Sequence, residues 1–173
     1  YTLEEKIAPN GFVKATSIQF KVESKTEIQK VTMIDKIVSV SKQNIAGDEI
    51  EGAKLRIENE NSEIVDSWTS TKEPHIVNGL EEGKKYILYE DYAPDGYVIS
   101  NKIEFTVNKD KVNQEIRMID KVVTITKENI TGKEVEGAKM RVVDEDENEI
   151  DSWTSTKEPH KVNGLEEGKK YIL

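Results

Sequence analysis

Tyr86-Ile-Leu-Tyr-Glu-Asp-Tyr-Ala-Pro-Asp-Gly-Tyr97 reads as a strand running into a tight turn. Successive side chains of a strand point to opposite faces, so Tyr86, Leu88 and Glu90 share one face. In Ala93-Pro-Asp-Gly96 the proline presets φ and the glycine accepts positive φ, which suits a tight turn. The same pattern stands 85 residues earlier, at Tyr1-Thr-Leu-Glu-Glu-Lys-Ile-Ala-Pro-Asn-Gly-Phe12. A strand-and-turn unit that returns at a fixed offset points to a repeat architecture.

The offset holds along the chain. SWTSTKEPH at 67–75 returns unchanged at 152–160, and VNGLEEGKKYIL at 77–88 returns at 162–173. Met33-Ile-Asp35 matches Met118-Ile-Asp120. Three pieces follow. Residues 1–36 read as the C-terminal part of a preceding repeat, 37–121 as one complete repeat, and 122–173 as the N-terminal part of the next. Tyr1 is not a natural start, so the chain is expected to be a window cut from a longer array.

Within the repeat, short alternating runs dominate. Val38, Val40 and Lys42 share one strand face, and Leu55 and Ile57 another. Ile103, Phe105 and Val107 alternate in a third run, Ile116 and Met118 in a fourth. Gly47, Gly52, Gly79, Gly83 and Gly96 punctuate them. Period-two runs separated by turns predict an all-β fold in which each repeat is a β-sandwich. No segment keeps a helical period over three turns.

Composition narrows the function classes. Charged residues make up 34% of the chain and the net charge is −9, which repels phosphate backbones and argues against nucleic acid as a partner. Hydrophobic residues reach 35%, so the cores should be small and thin. The absence of cysteine removes disulfides, thiol nucleophiles and cysteine-type zinc sites. No apolar run approaches the roughly 20 residues of a membrane helix, so no membrane partner is expected. No cofactor and no metal are expected either.

Strand parity places charges on apolar faces. Lys42 follows Val38 and Val40, Asp120 follows Ile116 and Met118, and Glu90 follows Tyr86 and Leu88. The neighbouring pieces copy this, with Lys127 after Val123 and Ile125, Asp35 after Val31 and Met33, and Glu5 after Tyr1 and Leu3. An unpaired buried charge is expensive, and a buried ion pair is often no better than packed hydrophobics. Two readings are open. The charges sit at strand ends and reach water, lysine by snorkelling. Alternatively, Lys42 and Asp120 condense to an isopeptide bond. Desolvation favours a neutral, nucleophilic amine and a neutral, electrophilic carboxyl. A nearby Glu90 can shuttle protons, and contact supplies a high effective molarity. The product amide is uncharged and ties the first strand of the repeat to the last, in place of a disulfide.

The residues also resemble a known family. Tyr86-x-Leu88-x-Glu90-x-x-Ala93-Pro94-x-Gly96-Tyr97 resembles the E-box of the collagen-adhesin B-type (Cna-B, SpaA-like) domains of Gram-positive surface proteins and pilins. Val40-Ser-Lys42 followed by Ile50-Glu-Gly52-Ala53-Lys-Leu55 resembles their first two strands, and Gly79-Leu80 with Gly83-Lys-Lys-Tyr86-Ile-Leu88 the strand entering the E-box. The resemblance spans the complete repeat and both partial ones. It implies tandem transthyretin-like (inverse immunoglobulin-like) β-sandwiches with an autocatalytic intramolecular isopeptide bond. By that likeness Lys42 is the amine, Asp120 the carboxyl partner and Glu90 the catalytic acid, with Glu5 its equivalent in the preceding repeat. The family's partner is usually Asn; Asp120 would release water in place of ammonia. Asn113 is the weaker candidate because it lies well before the strand end.

Lys127 and Asp35 are the equivalent cross-linking residues of the partial repeats, and their partners are expected in another repeat or chain. Residues 1–36 and 122–173 together carry the parts of one domain. Head-to-tail completion between chains, with a Lys127–Asp35 bond, would give a fibre; a longer continuous array is the plainer reading. His75 and His160 each stand alone and read as structural. Trp68 and Trp153 read as half-buried strand residues rather than a glycan platform. The run from Asp144 to Glu149 lacks the glycine of a calcium loop and reads as a solvated hairpin tip.

The expected function is a structural stalk or fibre repeat of an extracellular, cell-surface or cell-wall adhesin or pilus-like protein. Its chemistry would run once per molecule, so it is not an enzyme. The partners are neighbouring identical repeats. The alternative is a ligand-binding adhesin module that recognises a host matrix protein or glycan.

Overall fold

The computed structural model describes residues 1–24 and 26–173. These residues form strands and no helix. The strands are β1 (Thr2–Leu3), β2 (Ile18–Gln19), β3 (Ile37–Asn44), β4 (Lys54–Asn59), β5 (Ile64–Thr69), β6 (His75–Ile76) and β7 (Lys85–Tyr92). They continue with β8 (Ile103–Thr106), β9 (Asn113–Asp120), β10 (Thr124–Ile125), β11 (Lys139–Val143), β12 (Glu149–Thr154) and β13 (His160–Lys161).

The complete repeat is built of two sheets, ordered β6-β3-β9 and β5-β4-β7-β8. The alternating runs explain the pairing. Val38, Val40 and Met118 turn inward from the first sheet, and Leu55, Ile57, Tyr86, Leu88 and Phe105 from the second, to form one buried cluster. Full burial of a side chain of this size contributes about 1.5–3 kcal/mol, so these few residues account for much of what holds the sheets together. β3 and β9 run parallel, which the alternation alone does not reveal. The first and last strands of the repeat are therefore neighbours, in a ladder from Ile37↔Asn113 to Asn44↔Asp120.

The copy of this pattern in residues 122–173 folds the same way locally. β11 pairs with β12 through Arg141↔Ser152, as β4 pairs with β5 through Arg56↔Ser67, and a bulge falls at the equivalent place, Val142/Val143 against Ile57/Glu58. β10 and β13 repeat the β3–β6 pairing. The predicted strands ending at Asp35 and Lys127 do not form. Residues 31–35 carry no strand, and β10 stops at Ile125. Alternation marks the face of a strand, but a ladder needs a partner for its backbone groups. Neither segment has the long parallel neighbour that β3 and β9 supply to each other.

The pieces meet at two matching joints. Val13 is buried in the cluster of the complete repeat, and Val98 in the cluster of Val142, Val162 and Leu165. Each repeat thus inserts a valine from beyond its turn into the core of the next.

Candidate cross-linking site

Lys42 enters the site from β3, Asp120 from β9 and Glu90 from β7. In the parallel ladder Lys42 lies beside Met118, two residues before Asp120 and on the same face. Its long side chain runs toward the strand end and meets the carboxyl group there. Glu90 faces them from the opposing sheet, where it pairs with Leu55 next to a bulge in β4–β7. Alternation turns Asp91 out to the Arg56 guanidinium, and the bulge breaks the alternation after it, so that Tyr92 is exposed as well.

The three groups are in contact and buried. Lys42 Nζ donates to Asp120 Oδ1 and lies 2.8 Å from Glu90 Oε1. The residues are 2% (Lys42), 0% (Asp120) and 7% (Glu90) exposed. Of the two sequence readings, the strand-end reading fails here, since none of the three reaches water. Burial pushes the Glu90 carboxyl up to about 7, against the opposing pull of the Lys42 cation. Among the described residues, Asp120 Oδ2 is a buried oxygen with no hydrogen bond, whereas Glu90 Oε1 has the Lys42 ammonium as its ion-pair partner. Two carboxyl groups around one amine, with one oxygen left unsatisfied, make an expensive arrangement as separate ions, at several kcal/mol per buried ion. Condensation of amine and carboxyl removes two of the three charges.

Two further residues hold the site, and sequence reasoning missed both. Ser100 donates its backbone N–H to Glu90 Oε2 at 2.7 Å, and its hydroxyl lies 2.8 Å from Asp120 Oδ1 and 3.0 Å from Ile119 O. Glu49 folds back over β3, accepting from the Ser41 hydroxyl and, at 3.1 Å, from the Lys42 N–H. Ser100 sits in an irregular segment with no alternation to reveal it. Glu49 belongs to a turn whose closure only the fold defines.

The remaining candidates are placed apart from this centre. Glu5 repeats the Glu90 arrangement in part, accepting from the Ala15 N–H at 2.7 Å. Asp35 and Lys127 are exposed, and no buried amine–carboxyl contact involves either. Asn113 opens β9 beside Ile37, at the other end of the strand from Asp120. His75 stacks on Trp68 at 4.1 Å and bonds Asp66 through Nε2 at 2.9 Å; His160, Trp153 and Asp151 repeat this. Both histidines brace a strand pair. Asp144 Oδ1 accepts the N–H groups of Asp146 and Asn148 at 2.9 and 2.8 Å, so it is spent on its own hairpin tip.

Comparison with known proteins agrees with this architecture. The SpaA family, a prealbumin-like fold domain, matches residues 36–122, half of the chain. The chain belongs to this family. Its matched SpaA-type repeat covers all three residues of the buried centre. Solved structures with similarity include a C-terminal fragment of the pilus adhesin SpaC from Lactobacillus rhamnosus GG, at 19% identity and TM-score 0.44, covering 53% of this chain and 46% of that one. BcpA, the major pilin subunit of Bacillus cereus, is 23% identical with TM-score 0.45, covering 52% and 29%. The Bacillus anthracis TIE protein is 20% identical with TM-score 0.40, covering 94% and 34%. The SpaA-type chain spans less than half the length of each of these proteins. No curated protein sequence matches it.

Proposed function

We propose that this chain is a structural stalk or fibre segment of a bacterial cell-surface adhesin or pilus-like protein, and that its complete repeat staples itself through a Lys42–Asp120 amide. The observation that carries the proposal is the buried contact of Lys42 with both Asp120 and Glu90. Membership of the SpaA family and the pilins and adhesins among similar structures support the surface role. The setting is extracellular, on the surface of a Gram-positive bacterium, and the partners are neighbouring repeats.

The reaction balances as a condensation. The neutral Lys42 amine adds to the Asp120 carboxyl carbon. Protonated Glu90 gives its proton to the departing hydroxyl, which leaves as water, and takes back the proton that the nitrogen sheds. Lysine and aspartic acid become one amide plus one water, and Glu90 ends as it began. The step runs once per repeat, so the protein is not a turnover enzyme.

Intact mass under denaturing conditions tests this. The chain is expected to be lighter by one water, with the loss mapped to a peptide joining Lys42 and Asp120, and Lys42→Ala is expected at its full mass. A full mass for the unsubstituted chain refutes the staple.

A further inference from the structure

The joint between repeats leads directly into the cross-linking centre. Ile99 is held on both sides by the next repeat: its N–H donates to Leu165 O at 2.8 Å, and its carbonyl accepts from the Glu167 N–H at 2.9 Å. Gly96 donates its N–H to Asn163 Oδ1 at 2.7 Å, and Val98 sits in the next repeat's core. Asn101 donates its N–H to Glu167 Oε2 at 3.3 Å, and Lys121 pairs with the same carboxylate. Ser100 lies between the clamped Ile99 and Asn101, and Lys121 directly follows Asp120. A further bridge ties the two arms together, Val98 N–H to Lys121 O at 2.9 Å. The following repeat therefore grips both segments that carry Ser100 and Asp120 into the site.

The joint is a built feature, because it occurs twice. Lys14 N–H donates to Leu80 O at 2.8 Å and its carbonyl accepts from Glu82 N–H at 3.0 Å, Gly11 N–H donates to Asn78 Oδ1 at 2.8 Å, and Lys36 pairs with Glu82. One position differs in a telling way. Ala15 stands where Ser100 stands, with the same N–H bond to the E-box glutamate but without a hydroxyl.

We propose that Ser100 is a further catalytic residue of the Lys42–Asp120 condensation, and that docking of the following repeat holds it in place. This rests on the self-stapling reading above. The Ser100 hydroxyl, shared between Ile119 O and Asp120 Oδ1, donates to Oδ1 as negative charge gathers there during addition of the amine. It keeps its proton throughout. The water leaves with the other carboxyl oxygen, Oδ2, protonated by Glu90. A positioned donor of this kind contributes about a hundredfold in rate. The Ser100 N–H meanwhile fixes Glu90 through Oε2, leaving Oε1 for the proton transfers. Repeats with alanine at this position condense more slowly than those with serine.

The test is a pulse-chase with isotopically labelled lysine in cells expressing the chain, with the loss of water followed by intact mass. The variants are Ser100→Ala, Ser100→Thr and the joint variant Asn163→Ala/Glu167→Ala. Ser100→Ala is expected to slow the loss about a hundredfold, Ser100→Thr to restore most of it, and the joint variant to slow it at least severalfold. Circular dichroism of each variant reports folding, and Ala15 indicates that this backbone accepts alanine. A folded Ser100→Ala that loses water at the unsubstituted rate overturns the catalytic role. An unslowed joint variant overturns the coupling. If the unsubstituted chain loses no water, the staple itself fails, a result distinct from either.

Discussion

At the scale of single residues, burial decides the chemistry. A carboxyl on a strand face ordinarily finds water, but Glu90 is closed in by the opposing sheet, and desolvation raises it to about 7. The folded chain therefore binds that proton more tightly than the unfolded chain does, with its value of 4.5. Before condensation, the contribution of this proton to stability is fully present below about 4.5 and is lost as pH rises through about 7. The general acid is the protonated form, so the rate of water loss is expected to fall on the alkaline side of about pH 7. Pulse-chase mass measurements across buffered, permeabilised cells check this; a rate still rising well above that pH speaks against Glu90 as the acid. Parity was enough to put Lys42, Asp120 and Glu90 on inward faces. It could not reach Ser100, which sits outside any strand.

At the scale of elements, turns set the register that brings the charges together. Gly79 lies in the turn between β6 and β7 with φ +73°, and a Cβ there would stand 3.0 Å from Val65 Cγ1. Both the backbone conformation and the space are those of glycine. Gly79→Ala is expected to cost about 1–3 kcal/mol, read as a lower urea midpoint with an unchanged slope; an unchanged midpoint shows that the turn relaxes freely. The alternation in β3, β4, β7 and β9 was legible because each has one wet and one dry face. The strands expected at Asp35 and Lys127 had the same pattern and did not form, since a ladder exists only between partners.

At the scale of the whole molecule, the parallel pairing of β3 and β9 gives the proposed bond its mechanical meaning. The cross-link would join residues 78 apart in sequence but on adjacent strands. Tension entering at Ile37 would cross from Lys42 to Asp120 and leave through Lys121 into the next repeat. The residues between would carry none of it. In single-molecule pulling, the unsubstituted repeat is expected to withhold roughly 270 Å of contour length that Lys42→Ala releases. Equal extension of both refutes the load path. The closed loop would also remove about 4.5 kcal/mol of chain entropy from the unfolded state, by analogy with a disulfide of that span.

The sequence by itself determined the period of 85 residues, the all-β class and the faces on which Lys42, Asp120 and Glu90 lie. Each is a local property, carried by alternation, turn residues and direct repetition. Tertiary structure alone decided that β3 and β9 run side by side in parallel, that Ser100 and Glu49 complete the site, and that Ile99 is clamped by Leu165 and Glu167. These rest on backbone hydrogen bonds and on packing between distant segments. A backbone N–H or carbonyl is the same in nearly every residue, so the pairing it makes leaves no mark in the order of side chains.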